Sequence, residues 1–215
     1  MFLSQAEADT IEARIAHVEA RTGAQVVTAI VGRSDAYPEL VWKAFALGIA
    51  LAALLVVVLD VVRPDWMSAY AVWSNVTPIL GVGAASAILA LVLPTYARLY
   101  LNRVRCHGEV RQCAQAMFLE RQLFKTRARN GVLLFASVFE RRVELLADVG
   151  FHGRVEEHEW RTVIDAMTPS LATAKPAEAL TRGLERVEAL LSAKGFVGTG
   201  RRNELSDRPV DEGTA

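Results

Sequence analysis

Residues 41–62 read VWKAFALGIALAALLVVVLDVV, and residues 76–97 read VTPILGVGAASAILALVLPTYA. The first stretch holds only two charged residues, Lys43 and Asp60, and the second holds none. A helix rises ~1.5 Å per residue and the hydrocarbon core of a bilayer is ~30 Å thick, so about 20 apolar residues suffice to cross it. The two stretches therefore predict a hairpin of transmembrane helices. The alternative is a buried hydrophobic hairpin in a soluble domain.

Aromatic residues with a polar atom cluster near the ends of both stretches. Such rings place their body in lipid and their polar atom among the headgroups. The residues concerned are Trp42, Trp66, Tyr70, Trp73, Tyr96 and Tyr100. This placement favours membrane spans over a soluble core hairpin.

The distribution of basic residues predicts the orientation of the hairpin. Lys and Arg near span ends are retained on the cytoplasmic side, and the segment between the spans has Arg63 as its only base. Residues 98–129 carry eight bases against two acids. We therefore expect two spans in a bacterial inner membrane, with both termini in the cytoplasm. These bases either only set this topology or also touch anionic headgroups.

Overall charge and cysteine content exclude some classes of partner and site. A formal net charge of +0 gives no reason to expect nucleic-acid binding. Cys106 and Cys113 lie seven residues apart without a Cys-x-x-Cys motif, which favours packing over a metal or disulfide role. The predicted partners are the lipid bilayer and other membrane proteins, and the sequence leaves the oligomeric state open.

A helix and a strand precede the hairpin. Ser4 and Glu7 form a capping-box pattern that begins a helix, and Gly23 ends it. Residues 24–31 then read as a mostly buried strand. A single strand needs partners, and further strands follow only after residue 100. The hairpin is therefore predicted to be an insertion within one domain.

The segment after the hairpin supplies the rest of that domain. The pattern predicts a helix over 109–127, two paired strands over 132–138 and 143–148, and helices beginning near Glu156 and at Pro176. Residues 197–215 have few apolar side chains and are predicted to be disordered. The expected fold is α/β, a small mixed sheet between helices in an α/β/α sandwich. The chain is predicted to have four parts. Residues 1–40 and 101–196 form the two parts of the cytoplasmic domain, residues 41–100 form the transmembrane hairpin, and residues 197–215 form the disordered tail.

Four stretches of the soluble segments follow a pattern seen in a known family: the helix ending at Thr22-Gly23 with its strand, residues 129–134 (RNGVLL), residues 143–150, and residues 175–180 (KPAEAL). With this set the soluble segments resemble the TPM-domain family, whose thylakoid members are acid-phosphatase-like. The spans inserted after the first strand are similar to a bacterial membrane subgroup. Many members read Asp-Asn-Gly where this chain reads Arg129-Asn130-Gly131.

The resemblance implies a phosphatase site with a divalent cation, calcium or manganese, held here by Asp148 and Glu156. In that hypothesis Asp148 and His152 transfer protons, while Arg129, Asn130 and Arg154 bind phosphate. The replacement of an acidic residue by Arg129 weakens a cation site, because hard cations need several oxygen ligands. Three of these residues also have structural alternatives: Asp148 as the end of the strand or a turn cap, Glu156 as a helix-start charge, and His152 as a surface turn residue.

Strong catalytic motifs are absent from the sequence. It has no phosphate-binding Gly-rich loop, no His-Glu-x-x-His and no Gly-x-Ser-x-Gly. Two spans with no interior ionisable residue also argue against transport. The prediction is therefore a binding or assembly module for membrane-protein complexes. The alternative is a weak metal-dependent acid phosphatase, and whether the protein is an enzyme stays open.

Overall fold

The computed structural model of the chain describes residues 1–62, 71–198 and 204–213. It divides into a unit of Ala36–Arg103 and a unit made of Met1–Asp35 and Val104–Ala215. The first unit contains the predicted hairpin, and the second contains the α/β domain. The segment between the apolar stretches, including Arg63, Trp66 and Tyr70, lies mostly outside the described residues.

A four-stranded sheet organises the α/β unit, in the order β3-β2-β1-β4. Strand β1 (Gln25–Val31) is parallel to β2 (Gly131–Ser137), with Gln25 opposite Gly131. Strand β3 (Arg142–Ala147) runs antiparallel to β2. Strand β4 (Val210–Glu212) runs parallel to β1. The predicted mixed sheet and the predicted β2–β3 pairing are confirmed.

Helices cover both faces of this sheet. Helices α1 (Gln5–Thr22), α6 (Glu157–Ala172) and α7 (Pro176–Ala193) pack on one face, and α5 (Arg103–Glu120) packs on the other. Strands β1 and β2 are buried along their whole length, so alternate residues serve opposite faces. Val26 and Ile30 face the three-helix layer, whereas Val27 and Ala29 face α5. The flanked α/β fold is confirmed.

Two predicted boundaries of the α/β unit are wrong. The helix expected over 109–127 runs from Arg103 to Glu120. Gln122 then adopts a left-handed conformation (φ 54°), which stops the helix before a single 3₁₀ turn at Leu123–Lys125. As a result Leu123 is fully buried, while the neighbouring Phe124 is only partly buried.

The C-terminal segment differs from its prediction of disorder. Val210–Glu212 forms β4, and the Asp211 carboxylate accepts hydrogen bonds from the backbone N–H of Phe2 (2.7 Å) and Leu3 (2.9 Å). The Gln25 carbonyl Oε1 accepts bonds from the N–H of Glu204 (2.7 Å) and Leu205 (3.2 Å). Long-range hydrogen bonds hold residues 204–212, so the lack of apolar residues predicted the wrong state there. Residues 199–203 and 214–215 of this segment lie outside the described residues.

The other unit contains α2 (Glu39–Val62), α3 (Ala71–Val92) and the short α4 (Pro94–Ala97). Within the described residues, Glu39–Val62 and Asn75–Val92 are each long and apolar enough to span a membrane. The second predicted stretch does not run on to residue 97. Leu93 is extended in front of Pro94, which restricts the residue before it and lacks an N–H.

Small residues bring α2 and α3 together. A Cβ at Gly48 would lie 2.9 Å from Ser86 Cβ and 3.1 Å from Gly83 Cα. The Ser86 hydroxyl also donates to the Ala44 carbonyl at 2.8 Å. Small residues allow such close approach of apolar helices. Of the small residues in α3, Gly83, Ser86 and Ala90 are buried, whereas a Cβ at Gly81 would meet nothing within 4 Å.

Candidate functional site

Three of the candidate site residues, Arg129, Asn130 and Asp148, lie at the amino ends of β1 and β2. Asp148 follows β3, and β3 is antiparallel to β2, so its carboxyl end lies beside Gly131 at the start of β2. The Asp148 N–H donates to the Gly131 carbonyl at 2.9 Å. Ligand crevices of α/β folds commonly open at the carboxyl ends of parallel strands. Asp148 follows the carboxyl end of β3, but because β3 is antiparallel to β2 it lies at the amino ends of the parallel strands β1 and β2.

Arg129 and Asp148 form an ion pair at this corner. Arg129 Nη2 lies 3.1 Å from Asp148 Oδ1, and Arg129 Nε lies 2.9 Å from Oδ2. The same Oδ1 accepts the Val149 N–H at 2.8 Å and so caps the short 3₁₀ turn Val149–Phe151. The Asp148 side chain is 5% exposed, and that of Arg129 is 49% exposed. The carboxylate is therefore engaged from inside by the backbone and from outside by the guanidinium.

Asn130 joins three segments of the corner. Its side-chain Nδ2 donates to the Gly23 carbonyl, and its own carbonyl accepts the Gln25 N–H at 3.0 Å. Its N–H donates to Thr126 Oγ1 at 3.0 Å. Gly23 is in the left-handed region at φ 71°, which glycine adopts without strain. These contacts give Asn130 a structural task between α1, β1 and β2.

The remaining predicted site residues are not gathered around Asp148. The His152 side chain is exposed. The Arg154 guanidinium stacks on the Phe196 ring, 3.6 Å from its centroid, and donates to the Lys194 carbonyl at 3.3 Å. Glu156 caps α6 and lies 3.1 Å from His158 Nδ1. Each residue has a structural contact or faces solvent.

A cavity of about 310 Å³ adjoins this corner. Asn130, Gly150 and Arg154 line it together with Gly23 and Phe196. Arg129, Asp148 and His152 are not part of its lining. The cavity therefore brings together two of the three predicted phosphate-binding residues but neither predicted proton-transfer residue.

The residues present do not fit the divalent cation that the resemblance implies. Calcium needs six to eight oxygen ligands, mostly from carboxylates and carbonyls. Among residues 1–62, 71–198 and 204–213, no group of three or more His, Cys, Asp or Glu side chains could hold a metal. Asp148 is moreover neutralised by Arg129.

One buried acid near this corner was not predicted as a site residue. Glu19 accepts the Val26 N–H at 2.7 Å and lies 3.4 Å from Gln25 Nε2. Burial raises the Glu19 pKa from its ordinary value of 4.5 to about 8; the Val26 hydrogen bond opposes this, and the Asp207 charge adds to it. Glu19 follows Ile11 and Ile15 at four-residue intervals, so helical spacing could have placed it on the buried face.

Comparisons with known proteins give the family of one segment and the fold of the chain. The family model described as TPM domain matches residues 97–190. The matched residues begin after α3, so they leave out α1 and β1. Both of these elements nevertheless belong to the same α/β unit as β2 and β3. No curated protein matches the chain in sequence. The NMR structure of the BA42 protein from the psychrophilic bacterium Bizionia argentinensis is similar at a TM-score of 0.59 and 14% identity, covering 98% of this chain and 96% of that one.

Proposed function

We propose, from the premise that the chain carries a TPM domain, that it is an integral protein of the bacterial inner membrane that acts by binding. Its α/β domain would face the cytoplasm and serve as an assembly module for membrane-protein complexes. The single observation that carries the choice of binding over catalysis is the ion pair between Arg129 and Asp148.

The exposure of the apolar helices supports a membrane location. Only 6% of the apolar window in Glu39–Val62 and 11% of Asn75–Val92 is buried inside the protein. Leu51, Leu54 and Leu55 are each more than half exposed. A core hairpin of a soluble domain would bury such side chains, and apolar patches of this extent mark contact with lipid or protein. Trp42 and Trp73, which lie near the first residues of α2 and α3, are 70% and 73% exposed.

The cytoplasmic orientation rests on the same basic residues as the sequence prediction. Arg98 and Arg103 follow the second span, and Lys43 lies near the start of the first. Lys43 donates to the Tyr100 carbonyl at 3.3 Å, so these two helix ends lie on the same side of the hairpin unit. A hairpin returns the chain to the side from which it came.

The Arg129–Asp148 pair supports binding over hydrolysis because the guanidinium occupies the buried Asp148 carboxylate, which is then not free for other chemistry. A general acid or a metal ligand needs a carboxylate that can exchange a proton or accept a cation. Here a guanidinium contacts both oxygens, and the nearby His152 faces solvent. The cavity beside Asn130 and Arg154 keeps the phosphatase as the second candidate, since it offers space for a small substrate.

The two candidates are separated by calorimetry with calcium and manganese on the detergent-solubilised full chain, together with hydrolysis of p-nitrophenyl phosphate. The binding function predicts no saturable cation binding at millimolar concentration and no hydrolysis. Asp148→Asn is compared with Asp165→Asn, which alters an exposed acid on α6. Cation binding and hydrolysis that are lost in Asp148→Asn and kept in Asp165→Asn would establish the phosphatase instead.

The assembly role itself predicts a membrane-protein partner after gentle detergent extraction. The partner should stay at a constant molar ratio to the chain through two successive chromatography steps. A chain that elutes alone in both steps contradicts the assembly role.

Membrane insertion and orientation need a separate test. Ser68→Cys in a Cys106→Ser, Cys113→Ser background introduces one thiol between the apolar stretches. In a bacterial host the protein should resist carbonate extraction, and an impermeant maleimide should label residue 68 from outside intact spheroplasts. Labelling only after lysis would reverse the proposed orientation.

A further inference from the structure

We propose that a second cavity, of about 340 Å³, binds a phosphate-bearing anion. It lies between the segment that follows α5 and the C-terminal segment that ends in β4. Its lining is Val27, Arg121, Gln122, Lys125, Thr126, Glu204, Leu205, Ser206, Arg208 and Val210. The proposal goes beyond an assembly role, and the corner around Asp148 takes no part in it.

Three cations from separate parts of the chain meet at this cavity. Arg121 follows α5, Lys125 ends the 3₁₀ turn, and Arg208 precedes β4. In the described part of the chain, none of them has an acidic partner within ion-pair distance. Some exposed arginines elsewhere do have one, such as Arg161 with Glu157 at 2.8 Å. An anion in the cavity would relieve the mutual repulsion of these three charges.

The charge of the cavity matches a dianion better than a monoanion. Glu204 is the one carboxylate of its lining, against three cations. Its Oε2 is held at the wall, where it accepts the Arg127 N–H at 3.1 Å. A phosphate monoester carries close to two negative charges at neutral pH, and guanidinium groups bind phosphate oxygens in a bidentate manner.

A buried hydroxyl adds a neutral donor to the three cations. Thr126 is 3% exposed and lines the cavity. Its Oγ1 accepts the Asn130 N–H at 3.0 Å, and none of the described residues accepts its proton. A hydroxyl carries one donor and two acceptor sites. The Thr126 hydroxyl can therefore donate a hydrogen bond to an oxygen of a bound phosphate.

The walls of the cavity are held in place before any ligand arrives. Gln25 is 6% exposed, and its Oε1 accepts hydrogen bonds from the N–H of Glu204 and Leu205. Further along, β4 pairs with β1 from Ala29 to Val31. A site that is already formed loses less entropy when it binds. The apolar residues Val27, Leu205 and Val210 leave room for a short carbon group attached to the phosphate.

Glycerol 3-phosphate and the headgroup of phosphatidic acid share this chemistry, and the experiment separates them. In one arm, glycerol 3-phosphate is titrated by calorimetry into the full chain in phosphatidylcholine nanodiscs. In the other arm, native mass spectrometry counts phosphatidic acid bound to the chain in detergent, with phosphatidylcholine for comparison. Saturable binding in the first arm alone identifies a soluble ligand, and binding in the second arm alone identifies a lipid headgroup.

Matched variants link either result to the cavity. Lys125→Gln and Arg208→Gln should each weaken binding about tenfold or more, because each removes one charge-assisted contact. Lys125→Arg should retain binding, and Arg161→Gln on α6 should leave it unchanged. These side chains are exposed, so thermal melting should stay that of the wild type. Absence of binding in both arms, or equal loss in Arg161→Gln, overturns the proposal.

Discussion

The Arg129 guanidinium contacts both carboxylate oxygens of Asp148, with Nη2 3.1 Å from Oδ1 and Nε 2.9 Å from Oδ2. The two residues are 19 positions apart, on either side of the β2–β3 pair. Arg129 makes this contact from a left-handed backbone conformation (φ 52°). Its carbonyl accepts the Gly150 N–H at 2.8 Å, so backbone and side chain hold the same loop.

Removal of the guanidinium should destabilise the α/β domain. Arg129→Gln leaves the buried Asp148 carboxylate without its partner, and we expect a loss of about 1–3 kcal/mol, reduced from the cost of a fully buried pair because Arg129 is half exposed. Urea denaturation of the full chain in detergent measures this. Arg161→Gln, which breaks an exposed pair on α6, should cost less than about 0.5 kcal/mol. Equal stability of the two variants would contradict the prediction.

A methyl group at Gly150 should disrupt the same loop. A Cβ there would collide with the Arg129 carbonyl oxygen and lie 2.7 Å from that of Ala128. Because both neighbours are backbone atoms, we expect Gly150→Ala to cost about 2–4 kcal/mol in thermal or urea denaturation. The control is Gly108→Ala on α5, where a Cβ meets nothing within 4 Å. It should stabilise the helix by up to about 1 kcal/mol. If Gly150→Ala were as stable as the wild type, the loop would be able to shift and accept the methyl group, which would contradict the prediction.

Glu19 should make stability fall as the pH rises. Its folded pKa of about 8 lies above the ordinary 4.5, so the folded state holds the proton more tightly than the unfolded state does. The contribution of the Glu19 proton to the free energy of unfolding is therefore complete below pH 4.5 and is lost as the pH rises towards 8. Glu19→Gln should flatten this slope and be more stable than the wild type at pH 8 by on the order of 1–3 kcal/mol. Urea denaturation between pH 5 and 9 tests this.

The control for Glu19→Gln is Glu12→Gln on the exposed face of the same helix, which should retain the wild-type slope. A wild-type protein whose stability is constant from pH 5 to 8 would show that Glu19 is ionised in the folded state.

Cys113 should react slowly with alkylating reagents. Burial raises the pKa of its thiol, and the carboxylates of Glu212 and Glu140 raise it further. A smaller thiolate fraction means that iodoacetamide modifies Cys113 more slowly than the same cysteine in the urea-unfolded chain. Mass spectrometry of the Cys113 peptide at several pH values measures this. Glu212→Gln should lower the pH at which alkylation becomes fast, and identical folded and unfolded profiles would refute the prediction.

The parts of the fold that local patterns predicted are those that local forces form. Ser4 and Glu7 make the capping box that their spacing indicated, and Gly23 ends α1 as expected. Strands β1 and β2 coincide with the two buried apolar runs to within one residue. The helix after residue 103 was placed less well, because a left-handed Gln122 carries no signal in the hydrophobic period.

The candidate site was predicted as a set of residue types but not as an arrangement. His152 and Arg154 follow Asp148 closely in sequence, yet one faces solvent and the other stacks on Phe196. Arg208 contributes to the second cavity from a segment predicted to be disordered. A three-residue strand such as β4 has no periodicity that a sequence pattern could show.

The sequence by itself determined the two apolar helices, the buried strands and the helix caps, because each depends on residues at most a few positions apart. Tertiary structure alone decided that β3 places Asp148 at the amino ends of β1 and β2, beside Arg129. It also decided that Gln25 holds residues 204 and 205, so that Arg208 joins Arg121 and Lys125. These contacts depend on strand order, which follows from pairing between segments more than 100 residues apart.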